Sequence, residues 1–81
     1  MKNAYYNYCE SELTMLTFVL KSHATDPNYA WVNPVESVNN TIQRCLGAGE
    51  FVQSQGLDYV DVEEIFNFFH GEFQKVLDKY S

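Results

Sequence analysis

The spacing of apolar residues constrains this chain most, because they recur every three or four positions in three separate segments. Such spacing gathers apolar side chains on one side of an α-helix and predicts helices over about 5–22, 34–55 and 59–80. No segment shows the alternation that is typical of a β-strand. The predicted inward positions are Tyr5, Cys9, Leu13, Leu16 and Leu20, then Val35, Val38, Ile42, Cys45, Leu46, Gly49 and Val52, then Val62, Ile65, Phe66, Phe69, Phe73, Val76, Leu77 and Tyr80.

Capping signals define the second helix best. Asn33 can cap its N-terminus, Pro34 suits the first helical position, and Glu36 places an acid beside the free backbone N–H groups. Gly56 suits a left-handed C-terminal cap. For the third helix, either Asp58 or Asp61 can be the cap.

Two glycines lie within the second predicted helix, where each costs about 1 kcal/mol relative to Ala. Gly49 falls on the apolar side, where its missing side chain allows another helix to approach closely. Gly47 falls on the opposite side, so a break in the helix near Gly47 is an alternative.

The segment between the first two helices, 23–32, is the one longer loop. Thr25 and Asp26 precede Pro27, which disfavours helix there. We expect Tyr29, Trp31 and Val32 to fold back as a lid over one end of the molecule. The connection between the second and third helices is short, so these two helices should pack antiparallel. Together these signals predict an all-α fold, a compact three-helix bundle that forms one domain over residues 1–81.

Charge and composition exclude several classes of function. Eleven acidic and five basic residues give a net charge of −6, so the chain lacks the positive charge that drives direct nucleic-acid binding. It has no apolar run long enough to span a membrane and no signal-peptide pattern at its start. Two cysteines are too few for a disulfide-rich secreted domain. We therefore expect a cytoplasmic protein, although the sequence leaves the oxidation state of Cys9 and Cys45 open.

Catalytic and metal-binding patterns are missing from the sequence. Cys9, His23, Cys45 and His70 are too far apart for the usual paired zinc ligands, and buried thiols are the better interpretation of the cysteines. His70 has no accompanying nucleophile or oxyanion donors. We expect no enzyme activity, no cofactor and no metal.

The placement of phenylalanine is the feature that stands out. Phe18, Phe51 and Phe68 each fall off the apolar side of their helix, on an advance of about 100° per residue. Phe51 has Arg44 nearby, and Phe68 lies in a mainly acidic rim of Asp61, Glu64, Glu72 and Lys75. An apolar ring surrounded by charge is typical of an interface, so these residues are the predicted partner or dimer contacts.

Three functions fit these features. The leading hypothesis is a protein-binding module that masks a surface of a partner protein. The second is a homodimer, since helices with apolar residues on two sides suit self-association. The third is an acidic mimic of nucleic acid that inhibits a defence or DNA-processing protein.

The chain also resembles the short, acidic, tyrosine- and asparagine-containing open reading frames of bacteriophages and other mobile elements. Some of these inhibit host defence proteins. No motif is specific to one family, so the resemblance implies an inhibitor or accessory protein and no particular site residues.

Overall fold

A computed structural model describes residues 1–80 and contains three α-helices: α1 (Lys2–Thr25), α2 (Pro34–Ser54) and α3 (Tyr59–Tyr80). No strand occurs in this part of the chain. The helices pack side by side into an elongated bundle of 44 × 17 × 17 Å. The predicted all-α three-helix bundle is therefore confirmed.

The first helix is longer than predicted at both ends. It continues through His23, Ala24 and Thr25, and only Asp26 adopts an extended conformation before Pro27. Proline restricts chiefly the one residue that precedes it, so the helix can run up to Thr25. The Thr25 hydroxyl also donates a hydrogen bond of 2.8 Å to the carbonyl of Lys21 within the helix.

The limits of α2 follow its capping signals. The Asn33 side chain accepts a hydrogen bond of 3.1 Å from the backbone N–H of Glu36. At the other end Gly56 has a φ of 111°, and the N–H groups of Gly56 and Leu57 bond back to the carbonyls of Gln53 and Val52. This pair of bonds is a Schellman motif, which a residue with a positive φ makes possible.

Helix α2 passes unbroken through both of its glycines, so the alternative of a break near Gly47 is wrong. A Cβ at Gly47 would meet nothing within 4 Å, whereas a Cβ at Gly49 would lie 2.8 Å from the Tyr5 hydroxyl and 3.0 Å from Val62. Gly49 thus allows the close approach that was predicted. Helix α3 begins after Asp58, whose side chain accepts a 2.8 Å hydrogen bond from the N–H of Val60.

The core runs along the axis where the three helices meet. Its buried apolar side chains are Tyr5, Cys9, Leu16, Leu20, Val32, Val38, Cys45, Val62, Ile65, Phe69 and Phe73. Two predicted core residues, Val35 and Leu46, are instead exposed. Both lie at the edge of the apolar side of α2, which is wider than the surface that α1 and α3 cover.

Contacts between the helices fix their directions. Lys2 pairs with Asp61 near the starts of α1 and α3, so these helices run parallel. Tyr5 near the start of α1 reaches Cys45 and Gly49 in the second half of α2, so α1 and α2 run antiparallel. One end of the bundle therefore carries the α1–α2 connection, and the opposite end carries the α2–α3 connection.

Candidate interaction surface

All three predicted phenylalanines lie at the surface. The exposed fractions are 62% for Phe18, 64% for Phe51 and 53% for Phe68. Their positions on the helices are therefore as the sequence predicts. Whether they contact a partner remains a prediction.

The structure does not bring the three rings together. Phe18 packs against Tyr29 at the end that carries the α1–α2 connection, whereas Phe51 lies one turn from the end of α2 at the opposite end. Phe68 contacts Phe69, which in turn contacts Tyr6 of α1. The three rings therefore lie at three separate places on the surface, one on each helix.

Phe18 is part of an aromatic ladder formed by Phe18, Tyr29 and Trp31. The Phe18 and Tyr29 rings meet edge to face with centroids 6.4 Å apart, and Tyr29 and Trp31 stack with centroids 6.5 Å apart. Aromatic pairs prefer these two arrangements. Trp31 is 79% exposed, so the ladder ends in an indole that faces solvent.

The predicted lid is thus only partly correct. Val32 is buried and Tyr29 is half-buried, as a lid requires, but Trp31 is exposed to solvent. After the short 3-10 helix Pro27–Tyr29, two adjacent residues differ in burial, because Trp31 is exposed and Val32 is buried. Sequence reasoning consequently missed Trp31 as a surface residue.

Hydrogen bonds hold the backbone of the ladder in place. The His23 ring nitrogen Nδ1 lies 2.9 Å from the Tyr29 carbonyl oxygen, and the N–H of Val32 donates to the same oxygen at 3.1 Å. The Asp26 carboxylate accepts a 2.9 Å hydrogen bond from the N–H of Asn28. The segment that carries Trp31 is therefore tied to α1 before any partner arrives.

The acidic face of α3 is less negative than its sequence predicts. Asp61 pairs with Lys2 at 3.3 Å, and Glu72 pairs with Lys75 at 3.8 Å, while Glu64 is exposed. Lys2 comes from α1, which the spacing along α3 could not reveal. Exposed pairs of this kind contribute little to stability, but they lower the local negative charge around Phe68.

Arg44 also has a partner within the chain. Its guanidinium bonds to Glu12 of α1, with Nε at 3.0 and 3.2 Å from the two carboxylate oxygens, and Nη2 bonds to the Thr41 hydroxyl at 3.2 Å. The hydrogen bond with Glu12 raises the pKa of Arg44 above its ordinary value. Arg44 therefore links α1 to α2. To contact a partner beside Phe51, as predicted, it would have to give up its bonds to Glu12.

The two thiols form a buried pair at the α1–α2 contact. Cys9 and Cys45 are both free and fully buried. The neighbouring Cys9, together with burial, raises the pKa of the Cys45 thiol. Since a thiolate is the reactive form, Cys45 is protected from reaction in the folded protein.

Neither histidine lies with the thiols. His23 bonds to the Tyr29 carbonyl and His70 packs against the ring of Phe66. Within residues 1–80, no three side chains of His, Cys, Asp or Glu are grouped in a way that could hold a metal ion. Over the same residues, no helix has both the length and the apolar character that a membrane span needs.

The chain matches no protein-family model, no curated protein and no solved structure. Its function therefore has to be inferred from its surface.

Proposed function

We propose that this domain is a non-enzymatic protein-binding module that masks a surface of a partner protein, with the aromatic ladder as its main anchor. The observation that carries this proposal is the exposure of a Trp and a Phe that both contact the ring of one Tyr, the Phe edge to face and the Trp by stacking. Trp and Tyr dominate the residues whose loss costs most in protein interfaces.

The ordering of the ladder supports the same proposal. A contact surface that is already fixed loses less conformational entropy on binding than one that must first become ordered. Asp26 bonds to the backbone at the start of the short turn and His23 bonds to the backbone at its end, so the main chain that leads to Trp31 is held against α1. Phe51 and Phe68 lie apart from the ladder, and this proposal does not require them to contact the partner.

The net charge of −6 favours a partner with a basic surface. An inhibitor or accessory protein of the bacteriophage type is the form of the proposal that the sequence resemblance favours. Both thiols are free, which suits a reducing compartment, and we propose a cytoplasmic location on that ground.

The experiment compares affinity capture by the wild type with capture by Trp31→Ser and Phe18→Ser, using Phe51→Ser as the matched control. All four proteins are first shown to have the same helix content and thermal midpoint. A partner that the wild type and Phe51→Ser retain, and that both ladder variants lose, supports the proposal. Equal retention by all four proteins contradicts it.

Homodimerisation is the alternative that the same variants test. Light scattering coupled to gel filtration gives the mass over a wide range of concentration. A wild-type dimer that Trp31→Ser converts to a folded monomer would assign the ladder to self-association. The remaining alternative, mimicry of nucleic acid, predicts that partner binding weakens steeply as salt rises, whereas an aromatic anchor depends little on salt.

A further inference from the structure

A second surface lies at the opposite end of the bundle from the aromatic ladder. A groove of about 290 Å³ runs between the second half of α2 and the first half of α3. Its apolar lining includes Tyr5, Gly49, Val62 and Phe66. Gly49 lies in the floor of the groove, where the Tyr5 hydroxyl and Val62 approach its backbone closely.

Each wall of the groove carries one carboxylate. Glu50 lies on α2 and Glu63 lies on α3, and within residues 1–80 neither has an ion-pair partner. No Lys or Arg is among the described side chains that line the groove. The groove therefore combines an apolar floor with negative charge on both sides.

The dimensions limit what the groove can accept. The lining residues of α2 extend from Leu46 to Gln53, a span of about 10 Å at a rise of 1.5 Å per residue. About two turns of a helix fit along such a length. Two helices that already pack together offer a third helix the kind of groove into which side-chain ridges insert.

We infer that this groove binds a short amphipathic helix of a partner protein, whose apolar side enters between α2 and α3 while basic residues flank it. The apolar floor accepts the apolar side, and the carboxylates of Glu50 and Glu63 pair with the flanking Lys or Arg. This inference rests on the proposed function only in taking the partner to be a protein, since it uses none of the ladder residues.

A second copy of this chain fits the groove poorly. Each copy carries a charge of −6, and three of its five basic residues, Lys2, Arg44 and Lys75, are already paired with acids of the same chain. Bringing two such molecules together at an acidic groove costs electrostatic free energy, whereas a basic helix gains it.

The test uses synthetic helical peptides as probes. One peptide carries a leucine side flanked by arginines, and a second has the same leucines flanked by glutamates. We expect the arginine peptide to bind by titration calorimetry and to shift the backbone amide resonances of Leu46, Gly49 and Val62. The glutamate peptide should show neither effect.

Two pairs of substitutions separate local recognition from net charge. Glu50→Gln combined with Glu63→Gln removes two charges from the groove, and Glu10→Gln combined with Asp78→Asn removes two charges from exposed positions elsewhere. The groove pair should weaken the binding of the arginine peptide by about 10-fold, and the control pair by less than about 2-fold. Equal weakening by the two pairs would overturn the inference.

A steric variant provides a test that does not depend on charge. Leu46 is exposed at the edge of the groove, so Leu46→Trp should fill it without disturbing the core, and should abolish peptide binding with the thermal midpoint unchanged. Resonance shifts centred outside the groove, or no binding of the arginine peptide at millimolar concentration, would also overturn the inference.

Trp31→Ser separates this inference from the proposed function. It should leave binding of the arginine peptide unchanged, even if it abolishes capture of the natural partner. If Trp31→Ser abolishes peptide binding instead, the arginine peptide binds at the ladder and not in the groove.

Discussion

Tyr5 and Trp31 show two opposite ways in which this small domain places an aromatic ring. Tyr5 is 1% exposed, and its hydroxyl donates a 2.9 Å hydrogen bond to the carbonyl of Cys45. Trp31 is 79% exposed, and its main aromatic contact is the stacked ring of Tyr29. The helical spacing of α1 places Tyr5 in the core, whereas Trp31 follows the short 3-10 helix and is exposed. Tyr5 therefore serves folding, and Trp31 remains available for binding.

Removing each ring gives the largest expected difference between these two regions. Tyr5→Ala should lower the free energy of unfolding by about 3–5 kcal/mol, as for other large buried aromatic side chains. Trp31→Ala should change it by less than about 0.5 kcal/mol, since the indole buries little surface. Urea denaturation of both variants measures the two values. Similar losses for the two variants would show that the ladder is part of the folding core.

The two glycines of α2 test how tightly the core is packed around Tyr5. Gly49→Ala places a Cβ 2.8 Å from the Tyr5 hydroxyl, whereas Gly47→Ala places one in open space. Both substitutions gain the same helix propensity, so their difference reports the clash alone. We expect Gly49→Ala to be less stable than Gly47→Ala by about 1–3 kcal/mol, the usual cost of overpacking. Thermal denaturation of the pair provides the test, and equal midpoints would contradict the close approach.

The Tyr5 hydroxyl can be removed without removing the ring. Tyr5→Phe should cost about 0.5–1.5 kcal/mol at neutral pH, the net contribution of one buried hydrogen bond. Denaturant titrations of the wild type and the variant measure this cost. A variant as stable as the wild type would mean that the bond to Cys45 contributes nothing.

The same variant should change how the free energy of unfolding falls at high pH. Burial and the neighbouring Cys9 raise the pKa of Tyr5 above its ordinary value of 10.0. The unfolded chain then loses this proton first, so the contribution of Tyr5 is complete below about pH 10 and is lost as pH rises from there through the higher folded pKa. Tyr5→Phe should flatten this fall when unfolding is measured at about pH 8 and about pH 11. Tyr8 and Tyr59 also have raised pKa values, so their contributions to the fall in stability remain in the variant.

The smallest expected effect concerns the attachment of the ladder. His23→Ala removes the group that lies 2.9 Å from the Tyr29 carbonyl, and should cost about 0.5–1 kcal/mol. It should also increase amide hydrogen exchange in 28–32 while exchange in α2 stays the same. Unchanged exchange in 28–32 would show that the bonds around Asp26 suffice to hold Trp31.

Features that depend on local sequence were predicted well. The Asn33 cap and the Gly56 turn each involve residues within five positions of one another, and both are present. The three helices also follow, because a repeated three- and four-residue spacing of apolar residues matches the turn of an α-helix. The ends of α1 were less predictable, since its extension to Thr25 depends on one extended residue, Asp26.

Features that depend on distant residues were not accessible from the spacing. Arg44 bonds to Glu12, which lies 32 positions earlier, so its place in an ion pair appears only after the helices pack. Val35 and Leu46 have the right spacing for the core, but the width of the surface that α1 and α3 cover leaves them outside. Trp31 was assigned to a lid because composition cannot show in which direction a turn points a side chain.

The position of Trp31 has a practical consequence for any study of this domain in solution. It is the one tryptophan of the chain, and its side chain is exposed to solvent in the folded protein. Its fluorescence should therefore be similar in the folded and unfolded states and should shift to shorter wavelength when another molecule covers the indole. Trp31 fluorescence should thus report binding at the ladder without an added label, and it should change little on unfolding.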